Sequence, residues 1–189
     1  MKIKALFLTT VLFLLVAPLT ASAFDGDRNG FMLNLGAGMG QGKLSASGFG
    51  ASASFDAMGF GTDLKIGGGL SSQVLLYYTN RALWYTPEVA GIDWKLTNGM
   101  SAAGVSYFLE PQAPSVFFSG GLGVGVVNDR DVDETMSGFG ITLGVGFEFA
   151  RNVIAELTLI HSGVSGDNDI EGIDWTISNV MVTVSWLAY

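Results

Sequence analysis

The chain has 189 residues, enough for one domain, and its 17 acidic and 9 basic residues give a net charge of −8. This negative charge argues against a nucleic-acid partner, because nucleic-acid binding depends on basic surfaces. The absence of cysteine excludes disulfides, thiol chemistry and a lipid-modified N-terminal cysteine.

The first 23 residues have the pattern of a cleaved signal peptide. Lys2 and Lys4 precede a short apolar core, and small residues at Ala21 and Ala23 form a cleavage site. The sequence therefore predicts export and a mature domain that spans residues 24–189. An uncleaved membrane anchor is the alternative, but the apolar core is shorter than a membrane-spanning helix requires.

The mature sequence alternates between large apolar residues and small or polar ones, which is the period of a β-strand with two unlike faces. The clearest example is 139–149, where every second residue from Phe139 to Phe149 is large and apolar. Eight strands of this kind are predicted, in chain order, at 30–40, 57–67, 73–84, 99–109, 115–127, 139–149, 153–160 and 175–189.

The connections between these strands alternate between long and short. Long loops are predicted at 41–54, 85–97, 128–136 and 163–174, and short turns at 67–72, 110–114 and 150–152. Transmembrane barrels show this asymmetry, with short periplasmic turns and longer extracellular loops. An even number of strands then predicts that both mature termini are periplasmic.

The apolar faces of the strands need a cover, and no amphipathic helix is visible in the mature sequence. Each strand reaches the ~9–11 residues that cross a bilayer when tilted. Closing the sheet between the first and last strands would pair every backbone group in lipid. The sequence therefore predicts an all-β protein, an eight-stranded antiparallel up-and-down transmembrane β-barrel. A soluble β-sandwich or lipocalin-like barrel is the alternative.

Aromatic residues at strand ends predict anchors at the two membrane interfaces. The predicted interface aromatics are Trp84, Trp94 and Trp175 at the outer ends of strands and Trp186 and Tyr189 at the inner ends. Tyr189 is out of phase with the alternating series from Val180 to Trp186, and a bulge near Trp186 would reconcile the two.

On these residues the chain resembles the small eight-stranded β-barrels of the bacterial outer membrane, the superfamily of the OmpA transmembrane domain and the OmpX and opacity-type proteins. The resemblance covers the mature chain and rests on the strand pattern. It implies a monomer in the outer membrane, in contact with its lipid and lipopolysaccharide and without a cofactor. It also implies that the outer-membrane assembly machinery reads the C-terminal strand, which ends in the aromatic Tyr189.

Charged residues on the inward faces of the strands form the first candidate site. Eight strands enclose a space about wide enough to be filled by side chains. Lys65, Glu148 and Glu156 should lie at one height, with Asp63 one layer away and Arg81 farther along. The sequence predicts a lumenal ion pair between Lys65 and either Glu148 or Glu156, because buried charges need partners.

The inner faces of the fifth and sixth strands are lined by glycine. This wall either makes room for bulky side chains opposite, such as Tyr77, Phe108 or Met181, or forms a slot for an acyl chain.

The acidic loops contain weak candidates for metal ligands: Asp129, Asp131 and Asp133 in one loop, and Asp167, Asp169 and Glu171 in the next. Solvated loops are the simpler interpretation, and a loose divalent-cation site is the alternative.

His161 is the only histidine. Together with its neighbour Ser162, it is similar to the histidine and serine of the Ser–His–acid triad in the outer-membrane lipid A deacylases. Adjacent residues of a strand point to opposite faces, however, and no catalytic residue is therefore predicted. The predicted function is non-enzymatic, with a role in surface structure, adhesion or envelope integrity. The alternatives are a lipid-binding or lipid A-modifying barrel and a small channel.

Overall fold

A computed structural model describes residues 28–89, 91–131, 134–166 and 173–189. The predicted signal peptide and its cleavage site lie outside these residues. Among the described residues there is no helix long and apolar enough to span a membrane.

The described residues form ten β-strands. They are β1 Gly30–Gly48, β2 Ala51–Gly69, β3 Val74–Tyr85, β4 Glu88–Val89, β5 Ile92–Asp93, β6 Leu96–Phe108, β7 Ser115–Asp129, β8 Glu134–Ala150, β9 Val153–Val164 and β10 Ile173–Ala188. The short strands β4 and β5 pair with each other, and the other eight form a closed barrel in which all neighbours are antiparallel. Closure comes from β1 and β10, which pair from Leu33–Ala188 to Gly48–Ile173. The predicted eight-stranded barrel is confirmed.

The alternating pattern sorts side chains between the outside and the lumen as predicted. On β8, Phe139 and Leu143 are 67% and 57% exposed on the outer face. On β3, Tyr78 faces outward, whereas Tyr77 and Arg81 are buried inside. We call the ring of outward-facing large apolar side chains the outer belt.

The segment 41–54, predicted to be a loop, is instead the end of a long hairpin. β1 continues to Gly48, β2 begins at Ala51, and Phe49 and Gly50 join them with φ values of 52° and 80°. Two consecutive positive φ angles suit a two-residue hairpin turn, whose twist matches that of the strands. Neither face of this hairpin end is consistently buried, so the strands continue here on small Ser, Ala and Gly residues without the alternation of large apolar residues that predicted the other strands.

The C-terminal strand is regular, so the bulge predicted near Trp186 is wrong. β10 keeps one register with β1 up to Ala188. Trp186 faces outward, while Leu187 and Tyr189 are buried. The register shift of this region lies in β8 instead, between Glu148 and Ala150.

The barrel has two unlike ends. The turn end carries the connections 70–73, 109–114 and 151–152, and the loop end carries the β1–β2 hairpin tip and the β4–β5 pair. An apolar core fills the lumen toward the loop end, with Leu83, Leu96, Met100, Ile177 and Met181 among its buried members. A smaller cluster lies at the turn end and includes Tyr77, Phe108 and Phe117. A group of charged side chains lies in this turn half of the lumen and forms the candidate site.

Candidate functional site: a buried ionic cluster in the lumen

Four charged side chains from three strands meet inside the barrel. β2 supplies Asp63 and Lys65, which are two residues apart and therefore share the inward face. β3 supplies Arg81, directly opposite Asp63 in the pairing of the strands, and β9 supplies Glu156. All four are at most 2% exposed. We call this group the ionic cluster.

Each cation of the cluster contacts both carboxylates. Lys65 Nζ bonds to Glu156 and lies 3.3 Å from Asp63 Oδ2. Arg81 Nε lies 3.2 Å from Asp63 Oδ1, and its Nη2 lies 3.1 Å from Glu156 Oε1. Two positive and two negative groups thus balance. Such mutual pairing is needed where charges are removed from water.

Hydroxyl groups satisfy part of the remaining hydrogen-bonding capacity. Ser119 Oγ donates to Glu156 Oε1 at 2.5 Å, and Thr79 Oγ1 donates to Asp63 Oδ1 at 3.1 Å. Thr142 Oγ1 accepts a bond of 2.7 Å from Arg81 Nη1. The cluster therefore joins β2, β3, β7, β8 and β9 across the lumen.

Glu148, the other predicted partner of Lys65, lies outside this cluster and pairs with Arg28. Arg28 Nε donates to Glu148 Oε2 at 3.1 Å, and both side chains are at most 1% exposed. Tyr189 Oη donates to Glu148 Oε1 at 2.7 Å. The sequence reasoning missed Arg28 because it precedes the first strand. The sequence did contain one signal for it: Glu148 faces inward, and if Lys65 pairs with Glu156, Glu148 needs another cation.

Arg28 also ties the turns of the barrel together. Its Nη1 donates to the carbonyl oxygens of Ser72 at 2.9 Å and of Glu110 at 2.8 Å. Its guanidinium carbon lies 3.9 Å from the ring centroid of Phe108. One side chain thus connects the chain before β1 with the β2–β3 turn, the β6–β7 turn and the end of β8.

The predicted interface aromatics divide between the outside and the inside. Trp84 stacks on Phe60 with ring centroids 6.0 Å apart, and Trp186 is 46% exposed in the outer belt. Trp94 and Trp175 are half-buried against the apolar core of the loop half. Tyr189 is only 3% exposed, so its assignment as an interface aromatic is wrong: it belongs to the buried cluster at the turn end.

Side chains of adjacent or nearby strands occupy the space that several lumenal glycines leave. The Tyr77 ring lies over Gly104, the Phe117 ring over Gly146, and Met181 over Gly61. Ser119 and Glu156 lie against Gly144. A Cβ atom at any of these positions would collide with its neighbour. Of these glycines, Gly144 and Gly146 belong to the glycine-lined wall of the prediction, and they accommodate side chains of the protein, as the first interpretation proposed. The side chains are those of Phe117, Ser119 and Glu156, and not those of Tyr77, Phe108 or Met181.

Of the acidic-loop residues, Asp129 and Asp131 are described, whereas Asp133, Asp167, Asp169 and Glu171 lie outside the described residues. Asp131 Oδ1 lies 2.9 Å from Lys95 Nζ in an exposed pair. The hydrogen bond from Lys95 lowers the pKa of Asp131 below its usual value. Within the described ranges, no group of three or more acidic or histidine side chains is placed to hold a metal ion.

His161 and Ser162 face opposite sides of β9, as predicted: His161 is exposed, and Ser162 is 1% exposed in the lumen. The structure instead brings His161 next to Ser178 on β10, with Nδ1 and Oγ 3.0 Å apart. This pair was missed because its residues lie on different strands. Among the described residues no carboxylate contacts the imidazole, so the third group of a triad is not present there.

Comparison with known proteins shows similarity in structure but not in sequence. No family model and no curated protein sequence matches the chain. Ail, the attachment invasion locus protein of Yersinia pestis, superposes with a TM-score of 0.57 and 14% identity, over 84% of this chain and 99% of Ail. Neisserial surface protein A gives a TM-score of 0.51 and 14% identity, over 82% of this chain and 96% of that one. The chain thus has the fold of the small eight-stranded outer-membrane β-barrels.

Proposed function

We infer that this chain is an integral outer-membrane barrel with a non-enzymatic role at the cell surface. The observation that carries the proposal is the outer belt, in which Leu35, Met39, Phe118, Leu143 and Val182 are each at least half exposed. A soluble protein rarely exposes apolar side chains in a continuous ring. The lumen is only partly apolar: its loop half holds an apolar core, and its turn half holds the ionic cluster.

The outer belt lies between the turn end and the loop end of the barrel. At the turn end the connections are short, and at the loop end the β1–β2 hairpin and the β4–β5 pair extend the structure. In barrels of this kind the short turns are periplasmic and the longer connections extracellular. On that basis the proposal places Arg28 and Tyr189 on the periplasmic side and the hairpin tip outside the cell.

The hairpin supports a role in surface contact. Residues 51–58 of β2 pair with β1 on one side only, because the pairing of β2 with β3 begins at Gly59. Phe49 at the tip is 83% exposed. The proposal assigns this exposed ring, at the end of the barrel that is placed outside the cell, to contact with a surface partner. Ail, which has a similar fold, is named as an attachment protein, and that role is consistent with this proposal.

The enzymatic alternative has less support. His161 and Ser178 are in contact, but no carboxylate orients the imidazole among the described residues, and a triad depends on that third group. A serine-reactive fluorophosphonate probe should therefore leave Ser178 unlabelled. Labelling that Ser178→Ala abolishes would favour the enzyme.

The membrane assignment is tested by refolding the mature chain with and without lipid vesicles. We expect a β-rich, heat-modifiable barrel that floats with the vesicles, and precipitation in plain buffer. A monodisperse folded protein in buffer without detergent or lipid would overturn the proposal.

A further inference from the structure

A polar patch interrupts the outer belt on β3 and β6. We define the patch as Tyr78, Asn80 and Ser101, which share the outward face. Tyr78 Oη donates to Ser101 Oγ at 3.0 Å, and Asn80 Nδ2 donates to the same oxygen at 2.9 Å. Asn80 is exposed and Ser101 half-exposed.

The patch lies within the belt and not at its edge. Leu64 on β2 is the cross-strand neighbour of Asn80, and Val124 on β7 is that of Ser101. Along β3, Leu76 lies toward the turn end and Trp84 toward the loop end. The patch is therefore surrounded by apolar residues at the depth where the proposed function places hydrocarbon.

Hydrogen-bonding groups remain unused in the patch. Ser101 Oγ accepts two bonds, so its own hydrogen must be donated elsewhere. Asn80 Oδ1 and the second Nδ2 hydrogen have no partner among the described residues. Polar groups that face hydrocarbon without partners are costly and mark functional positions in membrane proteins.

The residues next to the patch are small. Ala82 follows Asn80 on the outward face of β3, and Gly99 and Ala103 flank Ser101 on β6. On β8 the corresponding outward positions carry Phe139, Ile141 and Leu143. Small residues let two membrane-embedded elements approach closely enough for side chains to hydrogen-bond between them.

We propose that the polar patch is the contact surface of a homodimer in the membrane, in which the β3–β6 walls of two copies face each other. The occupant must lie in the membrane at the same depth and offer both a donor and an acceptor. A second copy, related by a two-fold axis parallel to the barrel axis, does both. Its Asn80 amide donates to, and accepts from, the first Asn80. This inference rests on the proposed membrane location and replaces the predicted monomer.

The lack of cysteine in the chain allows a direct test by disulfide cross-linking. Ala82→Cys introduces one thiol beside Asn80, and Leu143→Cys introduces the matched control on the wall formed by β8. Each purified variant is reconstituted in phosphatidylglycerol–phosphatidylethanolamine vesicles at low protein density and oxidised. We expect a cross-linked dimer from Ala82→Cys and not from Leu143→Cys. Adding Asn80→Val to Ala82→Cys should weaken association about tenfold, and Asn80→Gln should restore part of it.

Equal cross-linking of the two cysteine variants, in barrels that float with the vesicles, would overturn the dimer and leave the membrane assignment intact. Cross-linking that persists unchanged in Asn80→Val would overturn the role of the amide pair. Failure of every variant to float would instead overturn the proposed function on which the dimer rests.

Discussion

The two halves of the lumen are filled by different chemistry. In the turn half, Asp63, Lys65, Arg81 and Glu156 form a neutral network of charges. In the loop half, buried Leu, Met and Ile side chains pack together, with one amide pair between Asn98 and Asn179 at 2.9 Å. The turn half should therefore depend on charge balance and the loop half on volume.

Reversing a charge in the turn half should have the largest effect. Lys65→Glu leaves Arg81 as the only cation facing three carboxylates. Breaking a buried ion pair costs about 3–5 kcal/mol, and we expect a loss of this size in urea unfolding of the detergent-folded barrel. Lys43→Glu, the same substitution on the outer face, is the control. Equal unfolding midpoints for Lys65→Glu and the parent protein would contradict the importance of the network.

Removing volume from the loop half should cost nearly as much. Leu83 is fully buried, and Leu83→Ala should lower the free energy of unfolding by about 2–5 kcal/mol because it leaves a cavity. Leu83→Met, which keeps the volume and the apolar character, is the control and should cost less than about 1.5 kcal/mol. If Leu83→Ala were harmless, the loop half would not be the packed core that the structure describes.

A smaller effect is expected from the hydrogen bond at the C terminus. Tyr189→Phe removes the bond to Glu148 but keeps the ring, and the loss of a hydrogen bond to a buried charged group should cost about 1–3 kcal/mol. Hydrogen exchange should increase at the turn end, at 109–114 and 151–152, and not at the loop end. Uniform exchange along the barrel would argue against a local role for Tyr189.

The smallest effect should come from the exposed pair of Asp131 and Lys95. The pKa of Asp131 is lowered in the folded protein, so any stabilisation is present above its unfolded value and is lost as pH falls through the folded value. Solvent screens such a pair. Asp131→Asn should leave the unfolding midpoint unchanged within error, whereas nuclear magnetic resonance titration of Asp131 in the parent protein should show the lowered pKa. A large drop in stability would assign the loop a structural role.

The sequence predicted the barrel because alternation is a local property: Phe139 to Phe149 alternate on one strand, and the strand requires no distant information. It also placed Lys65 and Glu156 on the inward face. It could not choose between Glu148 and Glu156 as the partner of Lys65, because the choice depends on how neighbouring strands are shifted. Arg28 could not be predicted as a partner because it precedes the first strand, and outside a strand the alternating pattern does not indicate which way a side chain faces. The pair of His161 and Ser178 likewise depends on the register between β9 and β10.

The pairing of β1 with β10 makes the first and last strands neighbours. All sixteen residues of β10, from Ile173 to Ala188, have partners on β1. Until β10 pairs with β1, the sheet has two open edges whose backbone amide and carbonyl groups are unpaired. On the proposed membrane location, unpaired backbone groups are costly in lipid, so a chain truncated within β10 should fail to form a closed barrel.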